Sequence, residues 1–231
     1  FAQPMAVDRF TKPLHKAASD PLHMFQNRFS FQYIQYGVRR RDTDHVAAEG
    51  EREERLCNFL IKEGHTSTTE HNVVSFWIKV PLFVARQQMR HRTFSYNEIS
   101  RRYTSSDIEF YFPSEMRKQD TKNRQNSTDD LDEATKAEFT IRTQALFDSS
   151  ERLYKDMLRA GVAKECSRAV LPLQTPSRLY VAGSVRSWVH YVTLRCGNGT
   201  QKEHMDVAKA CREVLRKALP TVMSAVDSVK I

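Results

Sequence analysis

The chain lacks most of the short motifs that reveal a cofactor or a compartment. No GxGxxG or GxxxxGK[ST] run occurs in its 231 residues, which excludes a Rossmann or P-loop cradle and leaves phosphates to side chains and helix ends. Cys57, Cys166, Cys196 and Cys211 are its four cysteines, scattered without CxxC spacing. Neither a disulfide framework nor a zinc or other metal site is expected from them, and a reducing cytoplasm is. The longest mostly apolar run, VVSFWIKVPLFVA at 73–85, is broken by Lys79 and Pro81 and falls short of the roughly 20 residues a spanning helix needs. No membrane segment is expected, and no signal peptide ahead of that run. Internal repeats are also missing.

Positive charge is abundant. Lys and Arg number 36 against 28 Asp and Glu, a net charge of +8, which favours polyanions, phosphorylated small molecules or acidic surfaces as partners. With 40% hydrophobic residues, residues 1–231 suffice for one core and one domain. The excess is concentrated in RQQMRHRTFSYNEISRRY, 86–103, where five arginines and a histidine face a single acidic residue, Glu98.

Periodicity places this segment in a frame. Leu56, Phe59 and Leu60 share one side of a charged helix over 51–65, with Gly64 as its left-handed stop. Alternation in HNVVSFWIKV (71–80) predicts a strand with Val74, Phe76, Ile78 and Val80 on one face. Pro81 suits the first position of a helix running through PLFVARQQMRH, because its missing N–H costs nothing there. Ser95 and Glu98 have the spacing of a capping box for a short second helix ending in Arg101 and Arg102. IEFYFP (108–113) alternates as a second strand, and the polar run at 117–130 is expected as a surface insertion. A long helix follows to Gly161, with Phe139, Leu146, Phe147, Tyr154, Met157 and Leu158 as its apolar, core-packing stripe. RLYVAG (178–183) predicts a strand, after which Ser184 caps a helix holding Arg186, His190 and Arg195. TQKE (200–203) has capping-box spacing for the last long helix, which Pro220 interrupts.

Arginine suits phosphate and carboxylate because its fixed fork of donors engages two oxygens and stays charged. Arg86, Arg90 and Arg92 leave the helix in different directions and need not serve one ligand, and a helix start at Tyr96, Asn97 and Glu98 would offer backbone N–H groups as a further anion seat. A basic run is more commonly a solvated face. Here apolar residues, Leu82, Phe83, Val84, Met89, Phe94 and Ile99, rim the segment instead of the Lys/Glu mixture of an exposed face. The residue pattern alone leaves a phosphate-ligand site and a solvated face both open.

RHRTFSYNEIS resembles the RHR-x7-S signature of flavin-dependent thymidylate synthases. GHTSTTEH, VARQ, RRY, EFYFP, VLPL and LR resemble segments of the same family in the same order, so that the likeness spans about residues 28 to 213. It implies an α+β fold, a mostly antiparallel sheet flanked by helices. It also implies reductive methylation of dUMP to dTMP, with methylenetetrahydrofolate as carbon donor, reduced FAD as hydride donor and NADPH reducing the flavin. Residue by residue, the resemblance gives Gln87, Arg90, Glu98, Ser100, Arg101, Arg102, Arg168 and Arg195 to dUMP. It gives Ser30, Ser67, Glu70, Arg90, His91, Arg92, Ser184, Arg186 and His190 to FAD, and places His65 on the folate or NADPH side. Ser184 stands where the family often has Asn, and Ser67 where it has Thr. A homotetramer with active sites shared between subunits is implied as well. Arg195 is the expected catalytic residue, since a guanidinium at the N3/O2 edge of uracil moves electron density toward C5 without a covalent nucleophile. Conventional thymidylate synthases use a Pro-Cys nucleophile; no cysteine here follows a proline, and each is expected as buried filler. The competing expectation is a nucleic-acid-binding protein without catalysis, its arginines on phosphates and Phe94, Tyr96 and Tyr103 stacking on bases. No nucleic-acid module is recognisable, and no nucleic-acid partner is expected.

Overall fold

Val74, Phe76, Ile78 and Val80 alternate along strand β2 (Val73–Pro81), and all four are buried. The computed structural model describes residues 35–39, 51–105, 108–113 and 115–229, all within the unit Phe31–Ile231. β2 lies antiparallel to β6 (Pro176–Ser184) along its whole length, from Val73 opposite Ser184 to Pro81 opposite Pro176. β1 (Gln35–Arg39) pairs with the other edge of β2, and β3 (Ser95–Glu98) with the other edge of β6. The sheet therefore runs β1-β2-β6-β3, antiparallel throughout.

Three helices cover one face. α5 (Val185–Arg195), α6 (Lys202–Ala218) and α7 (Pro220–Ser228) pack Trp188, Tyr191, Val192, Val207, Leu215 and Met223 into a core with the buried residues of β2 and β6. Trp188 is fully buried and donates its indole N–H to the Val74 carbonyl at 2.9 Å, which removes the cost of sealing a polar atom into an aromatic core. Ser184 caps α5 as its position predicts, its hydroxyl accepting from the Ser187 N–H. α1 (Glu51–Lys62) packs on α7, and Gly64 follows it at φ 73°. α2 (Leu82–Gln88) starts one residue after the predicted proline; its first N–H groups donate to the Thr175 and Leu173 carbonyls. It stops earlier than predicted, with Met89 as its cap and Arg90 and His91 in a turn.

The structure corrects several expectations. Ser95–Glu98 is a strand and not a capped helix: the edge of β6 offers unpaired backbone groups, and pairing with it outcompetes a local cap. The anion seat expected at Tyr96, Asn97 and Glu98 does not form, because these residues are held in the sheet. Residues 108–113 form no strand. β3 already occupies that sheet edge, the segment makes a backbone bond from Tyr111 N–H to Gln174 (2.8 Å), and Phe110 and Phe112 turn onto Phe147. The TQKE box is not made either, since Gln201 is the cap and Glu203 is drawn into an ion pair with Arg117 (2.7 Å). Finally, the long helix α3 (Glu133–Arg159) buries Phe147 and Tyr154 of its apolar stripe, while Phe139 and Leu146 are exposed, so only part of the stripe packs inward. The 117–130 run forms a hairpin of β4 (Lys118–Gln119) and β5 (Ser127–Thr128), tied to α6 by the Arg117–Glu203 pair. A short helix, α4 (Lys164–Ser167), leads into a single 3-10 turn at Arg168–Val170. Among the described residues no helix is long and apolar enough to cross a membrane.

Candidate active site

The C-terminal end of α2 delivers Gln87, Arg90, His91 and Arg92 within six residues, and the end of α5 delivers Arg195 beside them. His91 is buried and accepts a hydrogen bond at its Nε2 from Arg195 Nε, 2.9 Å away. A guanidinium has no lone pair to offer, so this nitrogen of His91 must be unprotonated and the neutral ring carries its proton on Nδ1. Burial, with the Arg195 guanidinium and His190 adding to it, holds the His91 imidazole down at about 4. The same contact orients Arg195, whose Nε is used on His91 and whose other guanidinium nitrogens have no partner among the described residues.

An acid-stability prediction follows. Between pH 6.5 and about 4 the unfolded chain protonates this histidine while the folded chain does not, so the stability of the fold falls as pH drops through that window. In His91→Asn the thermal midpoint should fall less steeply between pH 6.5 and 4. A slope equal to wild type, measured by thermal unfolding across that range, would show that His91 is not the group being titrated.

The remaining residues assigned to dUMP form a second group. Arg101 donates to the Pro176 carbonyl at 3.3 Å, close to where β2 passes into α2. Arg102 pairs with Glu165 of α4 (3.0 Å), and Lys164 donates to the Tyr103 carbonyl, so the turn holding Ser100 to Tyr103 is fastened to the segment that presents Arg168. The Ser100 hydroxyl accepts from the Arg102 N–H, and Glu98 is exposed on β3. Arg90, Arg92 and Arg168 are exposed, and their guanidiniums have no partner among the described residues. One chain thus holds the residues assigned to dUMP in two groups, at opposite ends of α2, whose seven residues rise about 10 Å.

Of the residues assigned to the flavin, Glu70 pairs with Arg186, which ties the 3-10 turn Thr66–Thr69 to α5. Ser67 and His190 are exposed, and His65 is exposed with its ring stacked on Phe59 at 6.4 Å between centroids. The Ser184 hydroxyl is spent on the cap of α5 and on the Ser187 hydroxyl (3.1 Å), which leaves it little to offer a ligand. Ser30 lies outside the described residues. Free guanidiniums beside exposed polar side chains suit a group that carries phosphates and a polar ring edge, so the residues present fit a flavin nucleotide. The thiols of Cys57, Cys196 and Cys211 are all pushed up by burial, the reverse of what a thiolate nucleophile needs.

Sequence reasoning missed a buried polar layer behind this site. His204 on α6 places Nδ1 3.1 Å from Gln87 Oε1 and Nε2 3.1 Å from Gln88 Oε1, and Gln87 Nε2 donates to Gln201 Oε1. Nothing in the residue pattern points to it, because polar residues at helical spacing look like a solvated face.

The profile of the family described as thymidylate synthase complementing protein matches residues 22–221. The flavin-dependent thymidylate synthase of Synechocystis sp. is 46% identical over 174 residues, covering 75% of this chain and 80% of that protein. A probable flavin-dependent thymidylate synthase of Paramecium bursaria Chlorella virus 1 is 40% identical over the same shares of both chains. Among solved structures, a UMP/dUMP methylase from Streptomyces cacaoi, PolB bound with 5-Br UMP, superposes with a TM-score of 0.72. It is 25% identical, and the match covers 85% of this chain and 95% of that one.

Proposed function

Since the chain belongs to the flavin-dependent thymidylate synthase family, we propose that it methylates dUMP to dTMP reductively, using FAD, methylenetetrahydrofolate and NADPH. The observation that carries this reading is the Arg195–His91 contact: residues of two distant segments, one assigned to nucleotide and one to flavin, meet at 2.9 Å in a half-buried hydrogen bond. When bound, the flavin supplies the hydride that turns the transferred methylene into a methyl group, and NADPH restores it. Arg90, His91 and Arg92, with Ser67, Glu70, Arg186 and His190, are the residues that would hold it.

The chain's own chemistry is electrostatic. Arg195, steadied by His91, meets the N3/O2 edge of uracil and stabilises the electron-rich ring by charge and hydrogen bonding; C5 then bonds to the methylene carbon as that carbon's bond to the folate nitrogen breaks, and the C5 proton is lost. Arg90, Arg101, Arg102 and Arg168, with Ser100, neutralise and position the phosphate end. The two groups of dUMP residues support a site completed by a second copy of the chain, as in a homotetramer with shared sites. The exposed aromatic pair Trp77 and Tyr180, 5.8 Å apart across β2 and β6, fits a face that another copy covers.

The test is spectroscopic. Purified protein should show flavin absorbance that shifts on adding dUMP, and Arg168→Ala should need about tenfold more dUMP for half the shift, the loss of one charge-assisted contact. Adding UMP in parallel reports whether the missing 2′-hydroxyl is read. Colourless protein with salt-sensitive affinity for DNA would replace the proposal with the nucleic-acid reading.

A further inference from the structure

His204 has no solvent-exposed surface, yet both its ring nitrogens face side-chain amides of α2. Burial, with Arg195 and His91 adding to it, holds this imidazole down at about 3, so the ring is neutral and has one N–H and one lone pair. One N–H cannot serve two carbonyl oxygens. One of the two glutamine amides must therefore turn its NH2 toward the ring, an orientation set by the surrounding hydrogen bonds.

Two directions satisfy the chain of bonds. In the first, Gln88 donates to His204 Nε2, His204 Nδ1–H donates to Gln87 Oε1, and Gln87 donates to Gln201. In the reverse direction, Gln201 donates to Gln87, Gln87 to Nδ1, and Nε2–H to Gln88. Either way the Gln87 amide is bound to both His204 and Gln201, and one of its two N–H groups has no partner among the described residues.

We propose that His204 is a positioning residue for the substrate: its ring locks the Gln87 amide so that the free N–H is held out to an oxygen of the bound nucleotide. This rests on the assignment of Gln87 to dUMP made above. The neighbouring His91, its ring centroid 6.3 Å from that of His204, contributes through Arg195, whereas His204 acts through Gln87.

A double-mutant cycle on the flavin-loaded protein, with dUMP affinity measured by calorimetry, tests it. Gln87→Ala and His204→Leu should each weaken dUMP by about threefold to tenfold, the worth of one hydrogen bond, and the double variant should be no weaker than Gln87→Ala. Equal losses from His204→Leu in both backgrounds, or no loss in either, would overturn the positioning role while leaving the Gln87 assignment intact. If Gln87→Ala binds dUMP like wild type, the assignment itself fails and the inference goes with it. Should His204→Leu not fold, nitrogen-15 NMR of the wild-type ring decides: the proposal requires the Nδ1 resonance to move when dUMP binds, and a ring indifferent to dUMP overturns it.

Discussion

Arg195→Ala should lower dTMP formation by at least about 100- to 1,000-fold, the cost of removing one preorganised donor from developing charge, while the protein keeps its flavin. The flavin is expected to stay because Ser67, Glu70, Arg92, Arg186 and His190, as well as His91, are proposed to hold it. The loss falls on the chemical step, since the guanidinium matters most when electron density has moved into the uracil ring. A second consequence separates this account from simple misfolding. Arg195 is one of the groups that hold His91 down, and its side chain is the donor to His91 Nε2. In Arg195→Ala the His91 imidazole should therefore titrate above about 4, back toward the ordinary histidine range, a change that NMR of the ring would follow. Arg195→Lys tests the geometry separately, because a single ammonium nitrogen lacks the planar fork that donates to His91 from one nitrogen and to a ring edge from the others; it should keep the charge and lose most of the rate. Wild-type turnover by either variant would remove Arg195 from the mechanism.

The parts of this site that were legible in the sequence are those written in local spacing. Alternation marked β2, the RLYVAG run pointed to β6, and Ser184 marked the start of α5, so the frame that aims Arg195 was visible in the sequence. The extended RHR signature then attached ligands to residues that periodicity alone could not rank. Ser95–Glu98 was misread because a four-residue strand carries almost no periodic signal, while SxxE matches a helix cap; the deciding partner, the edge of β6, lies more than 80 residues away in the chain. Residues 108–113 have strand alternation for a different reason, since their aromatics pack on Phe147 of α3 and not on a sheet. Glu203 shows the same competition: its spacing says cap, and Arg117 of the hairpin claims its carboxylate. The Gln87–Gln88–His204 layer is the hardest case. It joins positions 116 and 117 residues apart, and buried polar groups are recognisable only once their partners are seen.

Gly183→Ala should be the most damaging single-methyl change in the sheet. Gly183 is buried in β6, and a Cβ there would stand 2.4 Å from Cδ1 and 2.6 Å from Cε1 of Phe94, well inside any real contact. The ring has little room to withdraw. Its centroid lies 4.5 Å from that of Trp188 and 6.1 Å from that of Tyr191, both fully buried, so the strain must pass into the backbone. Overpacking of this kind costs about 1–3 kcal/mol, which in a chain of this size lowers the thermal midpoint by about 2–4 °C per kcal/mol. The functional cost is larger than the stability cost, because Phe94 is the anchor that ends the turn carrying Arg90, His91 and Arg92. If it moves, His91 shifts relative to Arg195, and a displacement of about 1 Å is enough to lose roughly 100-fold in rate. Gly183→Ala should accordingly fold with reduced stability and very low turnover, and adding Phe94→Leu, which vacates the space, should recover part of the midpoint. A Gly183→Ala protein with the wild-type midpoint and full activity would show that the ring is free to move and that the turn does not depend on it.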